Sequence, residues 1–201
     1  MTAIVQDDVD EKRRRVLLIA TAAAGAALGG ATAVPFLASW LPSARALAAG
    51  APVDADISRI EPGQQVTFEW RGKPVWVLRR TPEMLDQLPK HDGVLVDPQS
   101  NDSDQPAYAK NATRSIKPEV LVAVGVCTHL GCSPTLKKEI GAASDMGADW
   151  PGGYYCPCHN SRFDLAARVF KGSPAPKNLV IPPHRYVSDA LVVIGEDTKG
   201  A

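Results

Sequence analysis

Cysteine is scarce in this chain of 201 residues, which contains only four. All four lie in two short segments, residues 127–132 and 156–161, so no cysteine is left for a role elsewhere in the fold. Net charge is lacking as well, because 22 basic residues balance 22 acidic ones. A balanced chain has no basic footprint for nucleic acid, and we expect no nucleic-acid partner.

Each of the two segments, here called the first and the second box, combines a cysteine, a histidine and a spare cysteine. The first box reads Cys-Thr-His-Leu-Gly-Cys, and the second reads Cys-Pro-Cys-His-Asn-Ser. This set of residues matches a mixed-ligand iron–sulfur centre, in which two thiolates hold one iron and two imidazoles hold the other. Because imidazole is neutral, such a cluster is less negative than an all-cysteine cluster, and its reduction potential is higher. The histidines also offer a proton to exchange with the electron.

Two other interpretations of the boxes stay open. Two cysteines and two histidines are a common ligand set for structural zinc, although zinc fingers usually pair like with like in each half. Two plain disulfides are possible in an exported protein, but they leave the histidine spacing unexplained. Four cysteines allow three pairings, and the residues alone do not choose among them.

The two boxes together resemble the Rieske iron–sulfur protein family of ubiquinol–cytochrome c reductase, the cytochrome bc1 complex. The resemblance implies one [2Fe–2S] cluster per subunit. It implies that Cys127 and Cys156 ligate one iron and that His129 and His159 ligate the other. Respiratory members of the family carry the spare cysteine in each box, whereas Rieske ferredoxins and ring-hydroxylating oxygenases generally lack it.

The same resemblance implies roles for the residues around these ligands. Cys132 and Cys158 would form a disulfide that ties the boxes together, and Ser161 would bind the cluster through a bridging sulfide. His159 would accept a hydrogen bond from quinol and take up its proton, with His129 sharing that catalytic role. The implied activity is proton-coupled electron transfer from ubiquinol to a c-type cytochrome, in partnership with the cytochrome b and cytochrome c1 subunits.

Three positions depart from the usual family pattern. Asn160 stands where the family usually has glycine, but asparagine tolerates positive φ well, so we expect the turn to survive. Phe163 stands where high-potential members often have tyrosine, so we expect a lower potential than a tyrosine-bearing member shows. The segment 172–176, Gly-Ser-Pro-Ala-Pro, resembles the loop that covers the cluster and has one residue more than the common form.

Charge is absent between residues 16 and 41. At about 1.5 Å per helical residue this run exceeds the roughly 30 Å hydrocarbon core, so it can span a membrane. Arg13-Arg14-Arg15-Val16-Leu17 resembles a twin-arginine export signal. Because basic residues precede the run and none follows it immediately, we expect a single-pass protein of the bacterial inner membrane. Its N-terminus would be cytoplasmic and its C-terminal domain periplasmic.

These features predict four parts of the chain. Residues 1–15 form a cytoplasmic tail with the export signal, 16–41 the transmembrane anchor, 42–52 a flexible hinge, and 53–201 the Rieske domain. The alternative is a cleaved signal peptide, because the alanines of 44–48 resemble a cleavage site. The resemblance favours a retained anchor, with a hinge that lets the domain swing between its electron donor and acceptor.

The predicted domain is mainly β. Residues 66–70 and 74–78 alternate around Arg71-Gly72-Lys73, as a hairpin does. Short strands with frequent glycine and proline favour a small β-sandwich or barrel, and the resemblance adds a cluster-binding loop subdomain. The remaining predicted elements are strands at 93–97, 119–125, 178–181 and 186–195, a helix at 82–88, and loops at 98–117 and 133–153.

One further enzyme class shares these motifs. Rieske subunits of other exported oxidoreductases, such as arsenite oxidase, can also combine a twin-arginine signal with the spare cysteine pair. A zinc-stabilised module without redox activity is the alternative from a different class. Elemental analysis and the haem content of the purified complex distinguish the three.

Overall fold

The computed structural model describes residues 10–197 and divides the chain into two compact units, 1–47 and 48–201. The first unit contains the helix α1, Glu11–Ala38, whose 28 residues extend for about 42 Å. Its mean hydropathy reaches 1.8, and its length and composition allow it to cross a membrane. The Asp10 carboxylate caps α1 by accepting hydrogen bonds from the backbone N–H groups of Lys12 and Arg13 at 3.0 and 3.2 Å.

The bounds of α1 differ from those predicted for the anchor. The helix begins at Glu11 and takes in the arginines of the export signal, because Asp10 provides an N-cap before them. The segment predicted as a hinge contains a second helix, α2, Ala44–Ala49. Four of its six residues are alanine, the residue with the highest helix propensity. Residues 1–9 of the predicted tail and 198–201 of the predicted domain lie outside the described residues.

The second unit is mainly β, as predicted, and within the described residues its strands form three antiparallel sheets of three strands each. The strands are β1, Val53–Asp56; β2, Gln65–Trp70; β3, Lys73–Arg79; β4, Val120–Val124; β5, Thr135–Lys137; β6, Gly153–Cys156; β7, Ser161–Phe163; β8, His184–Ser188; and β9, Leu191–Ile194. The first sheet has the order β1-β9-β8, the second has β2-β3-β4, and the third has β5-β6-β7.

The second sheet lies between the two apolar clusters of the domain, and its strand β4 and the inner part of β3 are buried on both faces, whereas β2 is largely half-buried or exposed. Val77 and Val122 pack with Ile194 of the first sheet in one apolar cluster. Leu78 and Leu121 pack in a second cluster that includes side chains of the third sheet. Because neighbouring residues of a strand point to opposite faces, β4 is apolar and buried at every position.

The third sheet rests on the second through an aromatic contact. Trp76 of β3 stacks on Tyr154 of β6, with ring centroids 4.8 Å apart and planes within 6°. Gly125, directly after β4, leaves room for the Trp76 ring, because a Cβ at this position would lie 2.3 Å from it. The chain therefore passes close to Trp76 at Gly125, and the first box begins two residues after this glycine.

Three buried arginines hold the turn that follows β7. Arg80 donates to the Leu165 carbonyl at 3.1 Å, and Arg114 donates to the Ala167 carbonyl at 3.0 Å. Arg168 pairs with Asp164 at 2.8 Å, with both side chains at most 1% exposed. Burial lowers the pKa of Arg80 and of Arg114 to about 10, so both stay charged at neutral pH. These bonds fasten the third sheet to the rest of the domain.

The predicted elements have mixed outcomes. The hairpin of β2 and β3, the strand β4 and a helix, α3, Pro82–Gln87, are confirmed. The strand at 93–97 is wrong, because Leu88–Val94 forms a 3-10 helix and Leu95 makes only an isolated bridge to Phe170. The strand at 178–181 is also wrong, and 186–195 is a turn with parts of two strands, β8 and β9. The predicted loop 133–153 contains β5 and the start of β6.

Candidate metal centre

The first box is a tight turn that follows β4. The Gly131 N–H donates to the Cys127 carbonyl at 3.0 Å, and the Cys127 N–H donates to the Cys132 carbonyl at 2.7 Å. Gly131 has a φ of 86°, a conformation that favours glycine. The Thr128 hydroxyl donates to the Lys177 carbonyl at 2.6 Å, which fixes the outer side of the turn.

The second box is the turn between β6 and β7. Cys156 and Ser161 are cross-strand partners, and the Asn160 N–H donates to the Cys156 carbonyl at 3.0 Å. Asn160 has a φ of 62°, so asparagine adopts the left-handed conformation here in the place of glycine, as predicted. The Tyr155 hydroxyl donates to Oδ1 of Asn160 and fixes this side chain.

The two boxes bring their histidines together at the surface. The imidazole rings of His129 and His159 have centroids 4.7 Å apart and are perpendicular. His129 is half-buried and His159 is exposed, while the neighbouring Leu130 is 71% exposed. Two imidazoles and an apolar side chain therefore face solvent on the same turns.

The four cysteines divide into a bonded pair and a free pair. Cys132 and Cys158 form a disulfide, with Cα atoms 6.7 Å apart, and this is the pairing that the family resemblance implies. Cys127 and Cys156 are free and buried. The sulfur atoms of Cys132, Cys156 and Cys158 lie within 4.8 Å of one another, but a disulfide sulfur is not a thiolate ligand. Cys156 alone of these three keeps a thiol for a metal.

Comparison with known proteins gives the family. Residues 51–183 match the family described as "Rieske [2Fe-2S] domain". Residues 5–43 match the "Ubiquitinol-cytochrome C reductase Fe-S subunit TAT signal". The chain is 62% identical to the ubiquinol-cytochrome c reductase iron-sulfur subunit of Allochromatium vinosum, over 88% of this chain and 85% of that protein. The chain belongs to this family of Rieske iron–sulfur subunits.

More distant relatives agree with this membership. The ubiquinol-cytochrome c reductase iron-sulfur subunit of Bradyrhizobium diazoefficiens is 40% identical, over 85% of this chain and 87% of that protein. Among solved structures, a chain of a "Hyperthermophilic respiratory Complex III" is 25% identical, with 87% of this chain and 97% of that chain covered. The TM-score of this comparison is 0.45. The Rieske subunit is thus an electron-transfer component of complex III, a bacterial membrane-anchored protein that works with the other subunits of that complex.

The donor set of this Rieske domain fits a [2Fe–2S] cluster. Two free thiols and two adjacent imidazoles offer the sulfur and nitrogen ligands that the mixed-ligand cluster needs. Burial raises the pKa of the Cys127 thiol, and the His129 N–H and the Ser161 hydroxyl act in the opposite direction. Metal ligation requires the thiolate, and these two interactions favour the thiolate form of Cys127.

The proline-rich segment 172–176 closes one side of the Rieske site, and we call it the cover loop. The Ala175 N–H donates to the Ser161 hydroxyl oxygen at 3.1 Å, and both residues are buried. The Ser173 hydroxyl accepts a hydrogen bond from the Arg162 N–H at 3.0 Å. A groove of about 610 Å³ runs between this loop and His159, with the cationic residues Arg162 and Lys171 in its wall.

The remaining residues of interest lie away from the histidine pair. Phe163 is fully buried, two residues after Ser161 on β7, as the sequence places it. His184 is 1% exposed, and its Nδ1 lies 2.8 Å from the Pro182 carbonyl oxygen. His91 packs against Phe170. The sequence assigned no role to His91 or His184, but it also missed Thr128, Tyr155 and Ser173, whose hydrogen bonds hold the turns of the site.

Proposed function

We propose that Cys127 and Cys156 hold one iron of the [2Fe–2S] cluster and that His129 and His159 hold the other. The observation that supports this most strongly is that each box presents one imidazole beside that of the other box and also keeps one buried free thiol. The disulfide uses the spare cysteines and so leaves one thiol in each box for iron. The bound cluster supplies a one-electron redox centre with a raised potential.

We further propose that His159 receives the substrate, a ubiquinol. Its ring is exposed, so its outer nitrogen can accept a hydrogen bond from the quinol hydroxyl and then take the proton. His129 lies beside it and shares this role, and Leu130 offers apolar surface to the quinol pocket. The electron passes on to a c-type cytochrome, so the partners are the cytochrome b and cytochrome c1 subunits.

The arrangement of the chain in the membrane follows from the same proposal. The arginines at the start of α1 remain in the cytoplasm, α1 stays as the anchor, and the Rieske domain works in the periplasm. Residues 42–52 act as the hinge that lets the domain reach both donor and acceptor. The short helix α2 within this segment can extend or melt at low cost, because isolated helices of this length are not stable.

A low-temperature EPR spectrum of membranes that contain the full chain, recorded after reduction with ascorbate alone, tests the proposal. A mixed-ligand [2Fe–2S] signal is the expected result, and its loss in the His159→Ala variant but not in His91→Gln supports the ligand assignment. A signal that needs dithionite would contradict electron uptake from quinol. Silence with both reductants, together with zinc by elemental analysis, would overturn the cluster itself.

A further inference from the structure

The cover loop contains Ser173, and the structure shows what its side chain contacts. The Ser173 hydroxyl oxygen accepts the backbone N–H of Arg162 at 3.0 Å and lies 3.4 Å from the Arg162 carbonyl oxygen. The Ser173 N–H donates to the Phe170 carbonyl at 3.2 Å. Ser173 therefore attaches the first half of the cover loop to the edge of β7.

The second half of the loop contacts the site itself. The Ala175 N–H donates to the Ser161 hydroxyl oxygen at 3.1 Å, and these residues are 2% and 0% exposed. A hydroxyl that accepts such a bond still has its own proton to donate. Ser161 is the cross-strand partner of Cys156. Burial raises the pKa of the neighbouring Cys127 thiol, and the Ser161 hydroxyl acts on that thiol in the opposite direction by lowering its pKa. The N–H of the cover loop thus orients the hydroxyl that faces the sulfur of the site.

We propose that Ser173 is a positioning residue for the redox centre. By holding the cover loop on β7, it keeps the Ala175 N–H in place, and this N–H orients the Ser161 hydroxyl toward sulfur. The proposal rests on the ligand assignment above, because it takes Cys127 as a cluster ligand. It does not depend on which quinol or cytochrome reacts with the domain.

The expected consequence is a change in reduction potential. A hydrogen bond to sulfur stabilises the more negative, reduced state of an iron–sulfur centre and so raises its potential. Loss of the Ser173 hydroxyl loosens the Ala175 N–H, and the Ser161 hydroxyl then spends less time directed toward sulfur. The equilibrium constant for reduction should fall about three- to tenfold, which is about 30–60 mV for a one-electron couple.

The test is an EPR-monitored redox titration of the full-length protein that carries Ser173→Ala. The titration is repeated with Ser173→Gly, so that a result is still obtained if one of the two variants does not fold. Ser173→Thr keeps the hydroxyl and should restore the wild-type potential. Ser188→Ala is the matched control, because Ser188 also accepts a backbone N–H, that of Ala190 at 3.2 Å, in the turn between β8 and β9. The control should leave the potential unchanged.

A double-mutant cycle separates the proposed route from general loosening of the loop. In a Ser161→Ala background, Ser173→Ala should have no further effect on the potential, because it acts through Ser161. Faster amide hydrogen exchange at Ala175 should accompany the single change. An unchanged potential in both Ser173 variants, or an equal loss in the Ser161→Ala background, would overturn the proposal. Either result would leave the wild-type Rieske spectrum, and thus the proposed function, intact.

Discussion

Phe163 packs in the same buried cluster as the two free cysteines of the boxes, Cys127 and Cys156. It is fully buried on β7, two residues beyond Ser161, and it has no hydroxyl to donate. We predict that Phe163→Tyr raises the midpoint potential by about 20–60 mV, because one added hydrogen bond to a ligand sulfur favours the reduced cluster. A redox titration measures the shift. Phe68→Tyr, in β2, is the matched control and should not move it, and an unchanged or lower value in Phe163→Tyr would refute the prediction.

Arg168 is the side chain whose loss should most weaken the turn after β7. It and Asp164 form an ion pair at 2.8 Å in which both side chains are at most 1% exposed. Arg168→Met leaves the Asp164 carboxylate buried without its charge partner, which costs about 3–5 kcal/mol. Lys117→Met is the control, because it breaks a pair with Asp189, whose side chain is 99% exposed, and should cost about 0–1 kcal/mol. Thermal unfolding of both variants compares them, and equal midpoints would contradict the argument.

The disulfide between the boxes is the link on which the third sheet and its two turns depend. It closes a loop with a sequence separation of 26 residues, and chain entropy alone gives such a link about 3–4 kcal/mol. We predict that replacing both Cys132 and Cys158 by serine lowers the unfolding midpoint by about 6–15 °C. The thermal transition should then no longer respond to a reducing agent, whereas that of the wild type should. A reductant-sensitive transition in the double variant would show that another bond is responsible.

The strands show which elements the sequence predicts and which it does not. The β2–β3 hairpin was predictable from the alternation of apolar and polar residues, which indicates a strand buried on one face. The strand β4 was predictable from its continuous apolar run, which indicates burial on both faces. The pattern failed at Val94-Leu95-Val96, where only Leu95 is buried and both valines are about half exposed. The strands β5 and β7 have three residues each, too few for any periodicity. Both pair with β6, a contact between distant parts of the chain that no local pattern reveals.

The candidate ligands of the site were more predictable than the residues that hold its turns in place. Ligand chemistry restricts the residue types, so the cysteines and histidines of the two boxes stand out in the sequence. Ser173 and Tyr155 act through hydrogen bonds to residues 11 and five positions away, and serine and tyrosine at a surface carry no signal of such contacts. The sequence marks segment 172–176 as rich in proline but gives Ser173 no contact. Only the contact with Arg162 shows what it does.

Substitutions at the start of α1 test how the chain is oriented across the membrane. Arg13, Arg14 and Arg15 lie in the first turns of the helix, just before its uncharged part. Changing all three to lysine keeps the positive charge that orients a membrane span, but it removes the pattern that a twin-arginine receptor reads. We therefore predict that the variant reaches the membrane with its Rieske domain left on the cytoplasmic side. Protease added to spheroplasts should digest the domain of the wild type and spare that of the variant.

A matched change separates receptor recognition from charge in this experiment. Lys12→Arg alters a neighbouring cation of the same turn and leaves the three arginines in place, so its domain should remain accessible to protease. Twin-arginine export carries folded proteins across the membrane. Because the free thiols of this domain are buried in the folded state, we expect the cluster to be inserted in the cytoplasm before export. If the triple-lysine variant were digested as readily as the wild type, the chain would instead cross unfolded. The Rieske cluster would then have to be assembled in the periplasm.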